Sequence, residues 1–564
     1  MTAKFPRLVL GFVVVVGLIL HLSIIWPSGS RYCFGSQCGV FFWGSNEHDA
    51  VWHLALENTA FTTTPAQMPN FSGASLTGYN ALMDQVIYGL NLVTKIPATI
   101  WYFKIIPLLW FGILTFLVIK LARKINDSDW YPPALLIFTY LGNSFSYFLT
   151  LIQHGSLSGA SGLLSMQAPQ TLTNIQFGLS LPILVGILIL VKEKSRKLNH
   201  GLVLGFLVAI MWGLKFYGGA IASVIVAVYY LINFQRNGWK ITIAGLASLV
   251  LFSLGSLELF YGLNSVRAGG ATFTWSPLTT VHPIIEESDL VYLPKLANAR
   301  YSLISHGIGL KLVYIEMITI GIFILMNFGA RIIGIWQVGE LVAKKKVSPF
   351  DTILMAGMFV GLFAATMFVQ KGVWWNTVQF LYYSLFLANI YAAQVLSRLF
   401  AAKSLWGTVG AGIILILMLP NAIDTWRTFT SFPPRSYISD QEMELLNTLK
   451  QQPGGVVLAL PINAIEVDKN APLAPLYERY DTSYVAAYSA HPTYLNDQIQ
   501  LELTGVGYKE RKQAIERSDC QVLDQVKYVY IGGDQSQITP WKNCATNLQI
   551  IKQNIAGAVY RVGN

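Results

Sequence analysis

Apolar runs close to 20 residues recur along most of the chain, separated by short polar stretches. Each is long enough to cross a hydrocarbon core of ~30 Å as a helix. In order they predict about eleven spans, at approximately 8–26, 101–122, 132–150, 171–191, 201–216, 218–234, 241–263, 308–334, 350–369, 377–399 and 404–421. The fifth and sixth are short, and Lys215-Phe216-Tyr217-Gly218-Gly219 reads as the tight turn of a hairpin between them. The first run, Leu8–Trp26, stands behind Lys4 and Arg7 and has full spanning length. It is therefore read as an uncleaved first span and not as a signal peptide, whose apolar stretch is shorter.

Beyond residue 420 the pattern changes. Ser431-Phe432-Pro433-Pro434-Arg435 is linker-like, and Gln441–Gln451 predicts a helix ended by Pro453-Gly454-Gly455. Val456–Leu460 and Val526–Ile531 read as short buried strands, and Leu548–Val562 as two strands around Asn554 and Gly557. The expected fold is mainly α. A polytopic membrane helix bundle over residues 1–420, with outer loops 27–100 and 264–307, is followed by a small C-terminal extracytoplasmic α/β domain over 421–564. That tail is long enough to bury its own core. It shows no metal-ligand spacing, phosphate loop or nucleophile motif, and His491-Pro492 and Asp497 read as loop residues.

Composition agrees: 53% of the 564 residues are hydrophobic, too many for an ordinary soluble protein. The net charge of +10 would suit nucleic acid, but the basic residues gather on no soluble module. They punctuate the apolar runs instead, which excludes a nucleic-acid partner and sets the topology. With a cytoplasmic N-terminus, the inner loops carry Arg123-Lys124, Lys192 to Lys197, Arg236 and Lys240, Lys344-Lys345-Lys346, and Arg398 and Lys403. All four cysteines then fall outside, as the close pairs Cys33/Cys38 and Cys520/Cys544. Each pair could form a disulfide in an oxidising compartment, or the thiols could stand unpaired.

Charged residues make up only 12% of the chain, so their crowding into the loop Gly44–Val93 stands out. Its opening reads Asn46-Glu47-His48-Asp49-Ala50-Val51-Trp52-His53-Leu54. As a helix, this segment puts Asp49, His53 and Glu57 on one face and Trp52, Leu56 and Ala60 on a neighbouring apolar one. Asp49 could be a capping carboxylate answering Asn46, His53 a packed histidine, and Glu57 a solvated side chain. Equally, the three could hold a divalent cation, or form a carboxylate site tuned by an imidazole. Phe71 to Asn80 is a turn-rich approach to a second amphipathic helix, Ala81–Val93, with the stripe Met83, Val86, Ile87 and Leu90.

With these features the chain resembles the polytopic GT-C glycosyltransferases, which use lipid-phosphate-linked sugars. The likeness covers the whole chain as architecture: an N-terminal span, a long outer loop opening on an acidic residue and a juxtamembrane helix, about ten more spans, and an outer α/β domain. As motif it covers only residues 44–90, through Glu47-His48-Asp49 and Gly73…Gly78-Tyr79-Asn80-Ala81-Leu82. Relatives often carry Pro or His where Asn80 stands, and the Asp-x-Asp pair of metal-dependent oligosaccharyl transferases is missing.

The resemblance implies that Asp49 acts as general base on an acceptor hydroxyl, which attacks a polyprenyl-phosphate sugar. Glu47, His48 and His53 would then line the substrate site. The leaving lipid phosphate calls for outer cations, of which Lys215, Arg267, Arg300 and Lys371 are the candidates. Lys215 is favoured because its short hairpin leaves it little access to water, with Glu258 or Glu316 as a partner. No cofactor is required by this reading, although a divalent cation is compatible with it. A silent relative that binds a lipid-linked glycan is the alternative, ahead of a transporter or flippase, which tends to show internal repeats that this chain lacks.

Overall fold

The computed structural model describes residues 4–157, 165–193, 197–262, 273–288, 290–307, 309–370, 374–462, 473–479, 481–544 and 548–563. Among the described residues, each of the eleven apolar runs is helical over most of its length. Eight of the helices among the described residues are long and apolar enough to cross a membrane. Tyr131–Leu141 and Ser146–His154, bent by 48° at a short break, make a ninth if counted as one span. Leu198–Leu214 and Phe216–Ile232 are the shorter pair. The chain is a multi-pass membrane protein by this measure.

Two compact units divide the chain. The first comprises Met1–Leu22, Leu109–Leu259 and Thr272–Arg427. Its centre is the helix Gln379–Ala401, which packs against Tyr131–Leu141, Ile332–Ala343 and Pro349–Met367 and buries Tyr383 and Tyr391. Close approach depends on two glycines one turn apart. A Cβ on Gly361 would lie 2.3 Å from Ser384 Oγ, and one on Gly357 3.0 Å from Ile225 and Leu387. Small residues at such spacing let apolar helices meet backbone to backbone where no hydrophobic force drives them together. Side chains such as Leu251, Leu310 and Trp406 point outward, as lipid-facing positions do.

The turn expected at Lys215 to Gly219 is tighter than its sequence suggests. Lys215 alone is extended between the two short helices, and the second begins at Phe216. Gly218 and Gly219 lie within that helix and make room for Tyr383 and Trp212. They serve packing, not the turn.

The second unit comprises Ser23–Leu108, Phe260–Ala271 and Thr428–Asn564. One sheet runs in the order Val457–Leu460, Tyr528–Gly532, Gly557–Val562, Leu548–Asn554, its first pair parallel and the others antiparallel. The other begins with the hairpin Ser30–Phe34/Gln37–Phe42, closed by the disulfide Cys33–Cys38, and continues through Ser436–Ser439 to Ala474–Pro475. Cys520 and Cys544 are also bonded to each other. Arg31 grips Asp440 through Nε (2.8 Å) and Nη2 (2.5 Å), the fork geometry that suits a carboxylate. One core unites the segment 52–68 with the tail: Trp52, Leu56, Ala60 and Met68 pack with Leu458, Leu495, Leu501, Val529 and Tyr560.

Helix Asp440–Lys450 is capped by Ser439, whose Oγ accepts the Glu442 amide at 3.1 Å. Glu442 itself is fully buried and accepts the Tyr530 hydroxyl at 2.8 Å. Burial pushes its carboxyl up from 4.5 to about 7, with hydrogen bonds from Tyr530 and Tyr484 opposing the rise. Between those pH values the folded chain keeps a proton that the unfolded chain has lost. Stability therefore falls as pH rises through this window and levels off above it, by on the order of 3 kcal/mol. Glu442→Gln is expected to flatten that slope, read as the difference in Tm between variant and parent from pH 4.5 to 8.

Candidate functional site

The site is built on the helix Asp49–Thr59, in the second unit. A 3-10 turn, Gly44–Glu47, leads into it. Gly44 has φ +57°, and a Cβ there would meet the Phe429 ring at 2.2 Å, so the turn needs glycine on both counts. The capping role open to Asp49 is not taken up. Asn46 Nδ2 donates to Ser28 Oγ at 3.1 Å, and His48, the residue before the helix, makes no side-chain cap.

Asp49 stands at the first helical position with its side chain half exposed. A carboxylate here is favoured by the unpaired amides and dipole of the helix N-terminus. Its neighbour His48 is only 15% exposed and lies between two acids. Nδ1 is 3.3 Å from Asp49 Oδ1, and Nε2 is 3.1 Å from Asp497 Oδ1. Burial alone would lower the imidazole's pKa, but the Asp497 and Asp49 carboxylates outweigh it and hold it well above its ordinary value.

Asp497 lies in the loop before the helix Gln498–Thr504, as its place in the sequence suggests, and is fully buried there. It accepts the Ser483 hydroxyl at 2.9 Å and caps the helix Gln498–Thr504. Its own amide donates to Asp481 Oδ1 at 2.7 Å.

One and two turns into the helix, His53 and Glu57 are buried rather than solvated. His53 Nδ1 meets Asp84 Oδ1 at 2.8 Å, and its ring stacks on Tyr102 with centroids 5.7 Å apart. Glu57 has no hydrogen-bond partner for either carboxyl oxygen among the described residues. Burial, and then the nearby Asp84 charge, raise its pKa well above the usual carboxylate range. Glu57 is thus a buried acid beside the His53–Asp84 hydrogen bond. Asp49, His53 and Glu57 share a helix but not an environment, and among the described residues no three His, Cys, Asp or Glu side chains are placed to hold a metal ion.

The remaining sequence candidates are dispersed. Glu47 is buried in the 3-10 turn. Lys215, in the first unit, is buried and donates to Asn174 Oδ1 at 3.3 Å. Arg300 donates to Glu316 Oε1 at 2.8 Å and Glu286 Oε1 at 3.2 Å, and Glu316 also meets His282 Nε2 at 2.8 Å. Glu316, one of the acids considered as a partner for Lys215, is engaged by Arg300 and His282 instead. Glu258 is exposed. Lys371 and Arg267 lie outside the described residues.

Asp84, Asp497 and Ser483 were missed from sequence. Asp84 did leave a signal, because it lies three residues before Ile87 on the buried stripe of the helix Leu82–Thr94. An acid on an apolar stripe needs a partner.

No protein-family model matches the sequence, and no curated protein matches it at a significant level. Solved structures do match. The archaeal oligosaccharyltransferase AglB from Archaeoglobus fulgidus, in complex with an inhibitory peptide and a dolichol-phosphate, aligns with 94% of this chain and 69% of its own, with TM-score 0.51 and 12% identity. The arabinofuranosyltransferase AftD from Mycobacteria aligns with 100% of this chain, TM-score 0.52 and 12% identity. This chain spans 40% of the AftD chain. Both are GT-C glycosyltransferases, and the likeness establishes the GT-C fold for this chain.

Proposed function

We propose that this chain is an integral-membrane glycosyltransferase that moves a sugar from a polyprenyl-phosphate carrier to an acceptor hydroxyl at the extracytoplasmic face. Asp49 is the general base. The observation that carries this reading is a half-exposed carboxylate at a helix N-terminus, held by an imidazole that a second, buried carboxylate fixes from behind. A base needs access to its substrate and a fixed direction, and Asp49 has both. In the reaction the acceptor oxygen bonds to the anomeric carbon as the bond to the lipid phosphate oxygen breaks. The hydroxyl proton passes to the Asp49 carboxylate and the lipid phosphate leaves as an anion.

The GT-C fold supports a lipid-linked donor, since AglB was solved with dolichol-phosphate. Cytoplasmic placement of the N-terminus, and a role outside the membrane for the loops and the tail, follow from the basic inner loops.

The test is direct. Purified protein in lipid nanodiscs is supplied with polyprenyl-phosphate sugars and a mixture of glycan, peptide and lipid acceptors. Release of polyprenyl phosphate together with a glycosylated product is expected, and the absence of both across the donor panel overturns the reading. In sealed membrane vesicles of known sidedness, a protease-sensitive tag placed after residue 564 should be cut only from the extracytoplasmic side.

A further inference from the structure

We propose that His48 and Asp497 are positioning residues for the transfer reaction: the His48 imidazolium, fixed by Asp497 of the C-terminal segment, aims the Asp49 carboxylate. This inference rests on the reading of Asp49 as the base and adds to it a working part supplied by the tail, 449 residues away in sequence.

The geometry dictates the charge state. Carboxylate oxygens face both ring nitrogens of His48, at 3.3 Å and 3.1 Å. Both contacts are hydrogen bonds only when the ring carries both protons, so the arrangement is that of a cation between two anions. Asp497 is well suited to the rear position. It has no exposure to solvent, its second oxygen accepts from Ser483, and its backbone has a left-handed φ of 53°. That conformation is sparsely populated by residues other than glycine and is held by Asp481, whose two oxygens take the amides of Asp497 and Gln498 at 2.7 Å and 3.1 Å. The acid therefore presents a fixed oxygen to His48, and the ring presents a fixed donor to Asp49.

Other charged groups near this helix have different partners or act less directly. Asp84, on the helix Leu82–Thr94 packed against it, faces His53. Glu57 is two turns on, Glu47 precedes His48 in the 3-10 turn, and Asp481 acts on the backbone of Asp497. The two acids that hold the proton on His48 are Asp49 and Asp497.

A loss of transfer on the alkaline side then reports deprotonation of His48. The experiment is the pH profile of kcat and of KM for the donor in full-length protein, for Asp497→Asn and His48→Gln. Removing the Asp497 charge lets His48 lose its proton at lower pH, so the alkaline limb of kcat is expected to move down by about one pH unit or more. KM should stay within about twofold, because His48, only 15% exposed, acts here through Asp49 instead of lining the substrate site as the resemblance implies. In His48→Gln the limb should vanish and kcat should fall about tenfold at neutral pH, because an amide can donate to only one of the two acids.

A merely structural Asp497 would depress the whole profile without moving the limb, and that result overturns the inference. So does a parent enzyme with no alkaline limb, or His48→Gln with an unchanged limb. If Asp497→Asn fails to fold, His48→Gln decides alone, since it leaves the Asp481–Asp497–Ser483 contacts in place. The two readings fail separately. Transfer retained by Asp49→Asn removes the base assignment. A dead Asp49→Asn beside an unmoved limb in the other variants removes only the role of His48 and Asp497.

Discussion

Replacing Asp49 by asparagine is expected to lower the rate of sugar transfer by about 10²–10⁴-fold, the contribution typical of a positioned general base. The amide has nearly the same shape and keeps an oxygen for His48, but cannot take up the acceptor proton. Folding should survive, because the side chain is half exposed and caps nothing. Losing the charge at the helix N-terminus should cost no more than about 1 kcal/mol, too little to move Tm appreciably in a chain of this size. The measurement is initial rate against Tm in the same preparation. A large fall in rate with an unmoved Tm is the expected result, and parent-like transfer would remove Asp49 from the chemistry. Asp49→Glu keeps the charge but moves it by one methylene, and should lie between the two.

The largest effect on stability is expected at Trp52. Its indole is fully buried, meets Tyr79 edge-on at 5.7 Å, and fills a core shared with Leu458, Leu495 and Tyr560. Trp52→Ala should cost about 3–5 kcal/mol, the loss of transfer energy plus the cavity left behind. Because the core is common to both stretches, the damage should reach the tail as well as the loop. The same contacts bear on the tail alone. A fragment starting at Thr428 lacks Trp52, Leu56, Ala60 and Met68, and so exposes the apolar surface they cover. It is expected to bind hydrophobic dyes and to aggregate, whereas a well-behaved monomer would show that the tail's own side chains suffice.

Much of the architecture is legible in the sequence because membrane helices are specified locally. A run of 20 apolar residues satisfies its own backbone, and nothing distant needs to be known. The helix Asp49–Thr59, the helix Asp440–Lys450 and the paired strands around Asn554 are likewise matters of period, cap and turn. The two cysteine pairs were suggested by proximity and are both bonded.

The site was legible only in part, because its partners are remote. Asp49 and His48 are marked by crowding of polar residues in an apolar chain. Asp497, which holds His48, is hundreds of residues away in what reads as a loop, and no pattern along the chain links the two. Asp84 and His53 are closer, yet their pairing depends on how two helices pack. Spacing likewise put Asp49, His53 and Glu57 on one face without showing that one of them is wet and the others dry. Arg300 and Glu316 each looked available until the structure paired them.

The second unit is assembled from stretches that leave the ribosome far apart in time. Roughly 320 residues separate Leu108 from Thr428. At about 5–20 residues per second, the nascent segment 23–108 waits roughly 15–60 s for the strands that complete its core. Throughout that interval Trp52, Leu56 and Met68 lack the covering they have in the finished protein. Assembly of this unit is thus a late event in biogenesis, completed only when the last segment emerges.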